Sequence, residues 1–229
     1  MTAVPHALAI GQSVPAAPAA ASVVAPKPIV WSRDPKVDSA FIANYSAPGI
    51  PAGYRLRIDP QTRYTTSLRY TRNAGAVLVK GGPGHIMYSP TDTASGSYSV
   101  TTTVSQRARS KPKDAYGLFV GGRSLTTSKQ TYGYFLIREG GEYLVKVRDA
   151  DSMRVIIDWT RHRAIPMDTA RGAITASLAI LVAPDSTRFV VNGQQVASLP
   201  AGVIPSSGIA GVRVNKDLQV RVAPVRIAR

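Results

Sequence analysis

The chain has 229 residues, no cysteine, and 28 Lys+Arg against 13 Asp+Glu, a formal charge of +15. Hydrophobic residues at 44% supply a core, which excludes wholesale disorder. The lack of cysteine excludes a disulfide scaffold, a thiolate metal site and a cysteine nucleophile, and the only glutamates, Glu139 and Glu142, leave little for a carboxylate cage.

Residues 1–30 hold nine Ala and five Pro, with Lys27 as the single Lys, Arg, Asp or Glu. Prolines at this density oppose a helix and favour an extended arm. Pro15 and Pro18 interrupt the best apolar stretch, so neither a secretory signal nor a membrane-spanning helix is expected there. Such an arm buries too little surface to order itself, and we expect another chain to hold it through positions such as Pro15 and Pro18.

After Trp31 the pattern becomes short alternating runs bounded by Gly, Pro, Asn and Asp. Strands are predicted at 77–80, 97–106, 116–121, 132–138, 143–148, 154–159, 175–182, 187–191, 193–197, 209–214 and 218–222. No segment has a capped helical period. The expected organisation is an arm over 1–30 and an all-β domain over 31–229, a two-sheet antiparallel β-sandwich. Two turns fix strand register: Glu139-Gly140-Gly141-Glu142, and Asn192-Gly193, a strong hairpin signal. Lys80-Gly81-Gly82-Pro83-Gly84 lacks the ending of a phosphate cradle and reads as a loop.

From about residue 97 to 222 the sequence resembles the concanavalin A-like lectin/glucanase sandwich. It is most similar there to the bacterial domains of unknown function labelled 3-keto-disaccharide hydrolase. The resemblance rests on Tyr116-Gly117-Leu118-Phe119-Val120-Gly121-Gly122 and Tyr132-Gly133-Tyr134-Phe135-Leu136-Ile137-Arg138. It continues through Ile157-Asp158-Trp159, Phe189-Val190-Val191-Asn192-Gly193 and Gly208-Ile209-Ala210-Gly211. It implies the sandwich fold, and sugar binding or cleavage as activities to be weighed.

A glycosidase needs two carboxyl groups flanking the scissile bond. Several acidic residues, Glu139, Glu142, Asp149, Asp151 and Asp185, fall at predicted turns; Asp158, beside Trp159 and ahead of Arg161-His162-Arg163, is the one catalytic candidate. Tyr116, Tyr132, Tyr134, Tyr143 and Trp159 are available as sugar platforms, although strand aromatics more often pack in a core. His6, His85 and His162 have no ligand spacing, so neither a metal nor a cofactor is expected.

The basic residues fall in groups, among them Arg55 to Arg72, Arg107-Arg109-Lys111-Lys113, Arg161-His162-Arg163 and Arg213 to Arg229. They read either as solvated edges or as docking sites for acidic protein or anionic membrane surfaces. Nucleic acid is the weaker partner, because no recognition motif accompanies the charge. Arm and charge together favour a non-catalytic accessory or scaffold subunit of a larger assembly. An energy-transducing or photosynthetic complex at a bacterial membrane would suit it, in an extracytoplasmic, membrane-peripheral location. The alternatives are a carbohydrate-binding lectin-like module and a glycoside-cleaving enzyme.

Overall fold

Strong alternation of apolar residues becomes strand in a computed structural model, which describes residues 29–30, 47–59, 68–106, 115–167 and 174–229. In chain order the first strands are β1 (Ile29–Val30), β2 (Arg55–Ile58), β3 (Arg69–Asn73), β4 (Ala76–Lys80), β5 (His85–Tyr88) and β6 (Thr93–Ala94). Next come β7 (Tyr98–Gln106), β8 (Tyr116–Arg123), β9 (Thr131–Arg138), β10 (Glu142–Asp149), β11 (Ser152–Arg161) and β12 (Ile174–Val182). The last are β13 (Ser186–Val191), β14 (Gln194–Pro200), β15 (Gly208–Val214), β16 (Gln219–Val222) and β17 (Arg226–Ala228). All eleven predicted strands are present, and no helix occurs among the described residues.

The strands form two sheets. The first runs β1-β11-β10-β9-β8-β15-β5-β2, with β6 also on β15; the second runs β14-β13-β12-β7-β16-β4-β3, with β17 also on β7. Their pairings are antiparallel, as in β9 with β10 and β7 with β12. The chain is thus an all-β sandwich.

Alternation decides which side chains meet between the sheets. On β9, Phe135 and Ile137 enter the core shared with Ile180, Phe189 and Val100 of the second sheet. The rings of Phe135 and Phe189 meet across the gap at 5.1 Å between centroids. Tyr116 and Tyr143 lie in this core as well, which removes them as sugar platforms. The opposite parity of β9, Tyr132, Tyr134 and Leu136, joins Phe119 and Leu144 in a second cluster, which puts it on the outer face of the first sheet. The first sheet is therefore apolar on both faces, unlike an antiparallel sheet with one face to water. In the second sheet the outward positions of β7 are Ser99, Thr101, Thr103 and Ser105, small and polar.

The Asn192-Gly193 turn joins β13 to β14 in two residues, Val191 pairing Gln194. Both turn residues have positive φ, 50° and 77°, as a type I′ turn requires. Asn192 also accepts a bond at Oδ1 from the Ser177 N–H at 2.9 Å and donates from Nδ2 to the Ala164 carbonyl at 3.0 Å. A Cβ at Gly193 would meet nothing within 4 Å, so a substitution there tests the backbone alone. Gly193→Val should lose about 1–3 kcal/mol in urea unfolding, whereas Gly193→Asn, which tolerates this φ, should lose far less. Equal losses in the two would refute the backbone account.

Candidate functional site

The outer face of the first sheet gathers the polar chemistry. Register sets it in rungs across β9 and β10: Tyr132 opposite Arg148, Tyr134 opposite Lys146, Leu136 opposite Leu144, and Arg138 opposite Glu142. Next to β10, β11 breaks register. Tyr143 pairs Thr160 and Val145 pairs Ile157, so Asp158 and Trp159 together oppose the single residue Leu144. Such a bulge re-aims side chains. It places both residues on the outer face: Trp159 packs against the second cluster, and the Asp158 charge acts on Lys146.

At the accessible end, the Arg138 guanidinium lies 4.1 Å from the centre of the half-buried Trp159 ring. Glu142 holds the same arginine, with Nε donating to Oε2 at 2.7 Å. A cation over an aromatic face, itself tied to a carboxylate, fixes the indole in place. Asp158 is exposed and accepts the Trp159 backbone N–H at 2.8 Å. Burial lowers the Lys146 ammonium from its usual value; the Asp158 charge opposes this and Arg213 adds to it.

Toward the other end the face becomes buried. Arg213 donates to Asp59 through Nη1 at 3.2 Å and Nη2 at 2.6 Å, a bidentate pair. Its guanidinium also lies 5.0 Å from the Tyr134 ring centre. Arg148 reaches Asp59 at 3.8 Å, and Arg57 donates to the Leu125 carbonyl at 2.8 Å. Burial alone would raise the Asp59 carboxyl, but Arg213, through its charge and hydrogen bonds, and then Arg148 outweigh it and hold the group below its usual range. Arg57 and Arg213, both buried, thus depart from the solvated-edge reading of the basic groups: Arg213 lies on a strand buried on both sides, and Arg57 is drawn inward by the Leu125 carbonyl.

Of the residues singled out in the sequence, the structure brings Asp158 and Trp159 together. Arg161 is exposed at the end of β11, opposite Glu142. His162 shapes the turn that follows, its backbone N–H donating to the Gly141 carbonyl and its Nδ1 accepting from the Ala164 N–H at 3.1 Å. Arg163 is exposed in that turn. Arg107, Arg109, Lys111, Lys113, Pro15 and Pro18 lie outside the described residues. Several described carboxylates are engaged: Glu142 by Arg138, Glu139 by Gln106 Nε2 at 3.0 Å, and Asp59 by Arg213. Among the described residues no three His, Asp or Glu converge as metal ligands. No helix among them is long and apolar enough to cross a membrane.

No family model matches the chain. No curated protein matches it either. Solved structures do. A protein of unknown function with a galectin-like fold from Bacillus subtilis superposes with a TM-score of 0.56 at 8% identity, covering 76% of this chain and 88% of its own. The carbohydrate-binding module CBM66 from Bacillus subtilis gives 0.55 at 12% identity, over 77% and 96%. The carbohydrate recognition domain of Emp46p gives 0.52 at 10% identity, over 77% and 88%. At these identities the likeness is one of fold: the chain is a sandwich of the galectin-like and concanavalin A-like kind.

Proposed function

We propose that this chain is a carbohydrate-binding module whose ligand lies across the outer face of the first sheet, with Trp159 as its platform. The observation that carries the reading is the half-buried indole, braced by Arg138 and flanked by Lys146, Asp158 and Glu142. Sugars present apolar C–H faces edged by hydroxyls, so an aromatic surface beside charged donors and acceptors suits them. Two of the similar structures are carbohydrate-binding by name, which supports the same reading. A glycosidase mechanism has less support, because Glu142 is already committed to Arg138. Among the described residues, nothing favours the docking-subunit reading over this one.

The test is calorimetric titration of the full chain with soluble polysaccharides. Trp159→Ala should weaken binding about tenfold or more while the β-type circular dichroism spectrum persists, since tenfold corresponds to about 1.4 kcal/mol of lost contact. A wild type that binds no polysaccharide, or a variant that binds as well as wild type, would sink the proposal.

A further inference from the structure

The buried end of the same face carries a charge imbalance. Arg57, Arg148 and Arg213 are 6%, 7% and 5% exposed. Asp59 is the carboxylate whose contacts with Arg148 and Arg213 are described, so three guanidiniums share one described counter-charge. Arginine does not neutralise in proteins, so the imbalance persists at any physiological pH. Three polar groups there are buried without a hydrogen-bond partner: Nε of Arg148, Nε of Arg213 and the Tyr88 hydroxyl. Uncompensated buried cations and unpaired donors each cost several kcal/mol or a substantial part of that, so a fold carries them where something else completes them.

Asp59 is the more accessible member of the cluster, with 25% of its side chain exposed. A Cβ on Gly84 would lie 2.5 Å from Asp59 Oδ2, so the adjoining loop packs directly on the carboxylate and admits only glycine there. The cluster is also continuous with the Trp159 platform. Arg148 and Lys146 project from the same side of β10, opposite Tyr132 and Tyr134, and Arg213 acts on Lys146.

We infer that this arginine cluster receives an anionic substituent, a carboxylate or sulfate, of the sugar chain seated on Trp159. The inference rests on the carbohydrate-binding reading and deepens it: the ligand is an acidic polysaccharide. A guanidinium fork matches the paired oxygens of either group, and Arg148, 3.8 Å from its nearest described carboxylate oxygen, has that fork uncommitted. Lys146, midway along the face, adds charge of the same sign between the two ends.

The experiment titrates the full chain, at about 150 mM salt to suppress diffuse attraction, with polygalacturonate, dextran sulfate and neutral dextran. Wild type should bind at least one acidic polymer on the order of ten- to hundredfold more tightly than dextran, the range of a charge-assisted hydrogen bond. Preference for polygalacturonate identifies a uronate and preference for dextran sulfate a sulfated sugar; either supports the inference. Arg148→Met should abolish the preference and leave the melting temperature unchanged or raised, because it removes an excess cation, and Arg57→Met should act in the same direction. Arg188→Met, exposed on β13 of the second sheet, should keep the preference. Equal loss in Arg188→Met would show general attraction to a basic protein and overturn the inference. So would a retained preference in both cluster variants, or a clear fall in melting temperature in both, which would make the arginines structural. Equal binding to all three polymers overturns this inference and leaves the carbohydrate reading standing; no binding to any overturns the reading itself.

Discussion

Asp59→Asn should destabilise the protein by about 3 kcal/mol, read as a lower urea midpoint at unchanged slope. Asparagine keeps the size of the side chain and one oxygen but removes the charge that balances Arg213, whose side chain is 6% exposed. Removing one partner of a buried pair typically costs about 3–5 kcal/mol. The partial exposure of Asp59 places the loss at the low end of that range. The double variant Asp59→Asn/Arg213→Met should recover most of the loss, because the stranded cation leaves with its partner. A single variant within about 0.5 kcal/mol of wild type would show that water already screens the pair.

Acid should weaken the fold well above the pH at which carboxylates titrate. His85 is fully buried, with Nδ1 2.8 Å from the Pro83 carbonyl and Nε2 2.6 Å from the Tyr70 hydroxyl. A carbonyl only accepts, so Nδ1 carries the proton and Nε2 accepts from Tyr70. Burial, aided by Arg213 and opposed by the Pro83 bond and Asp59, lowers the imidazole from 6.5 to about 4. Between those two values the unfolded chain binds a proton that the folded chain does not. Stability therefore falls as pH drops from about 6.5 to 4, by roughly 3 kcal/mol, and this contribution is flat outside that window. The Asp59 share is lost only lower, below pH 3.8, because its folded value is depressed. Urea midpoints measured from pH 7.5 to 4.5 should show the decline, and His85→Gln should remove most of it. A decline of the same size in His85→Gln would locate the acid sensitivity elsewhere.

The eleven strands legible in the sequence are those of four or more residues with a clear apolar parity or a turn signal beside them. The others were silent for physical reasons. β1, β6 and β17 are two or three residues long, too short to show a period, and β2, Arg-Leu-Arg-Ile, has just two apolar residues, too few to set a parity. β3, Arg-Tyr-Thr-Arg-Asn, presents one apolar side chain. β5, His-Ile-Met-Tyr, is buried at every position and so has no alternation to read. The site divides in the same way. Asp158 and Trp159 stood out because they are adjacent in sequence. The Asp59–Arg213 pair joins residues 154 apart, and only the path of the sheet brings them together. One signal was available: Gly-Ile-Ala-Gly-Val-Arg-Val is apolar on both parities, so an arginine within it must be buried and needs a partner. The bulge opposite Leu144, which turns two consecutive side chains to one face, leaves no mark in composition.

Both sheets are closed by strands distant in sequence. β15 inserts between β5 and β8, and β16 between β4 and β7. Thr102 on β7 donates to the carbonyl of Ala223, 121 residues away. On the ribosome, β5 and β7 would emerge with an edge still open and wait for residues 208–228 to be made. Loops of that length close slowly, and exposed edges invite pairing with other chains in the interval. Uncommitted strands that must stay soluble while they wait benefit from Ser and Thr at alternate positions, as on β7, and from a strong positive charge. Newly made chains should accordingly depend on a holding chaperone, or on rapid completion, far more than the finished protein does.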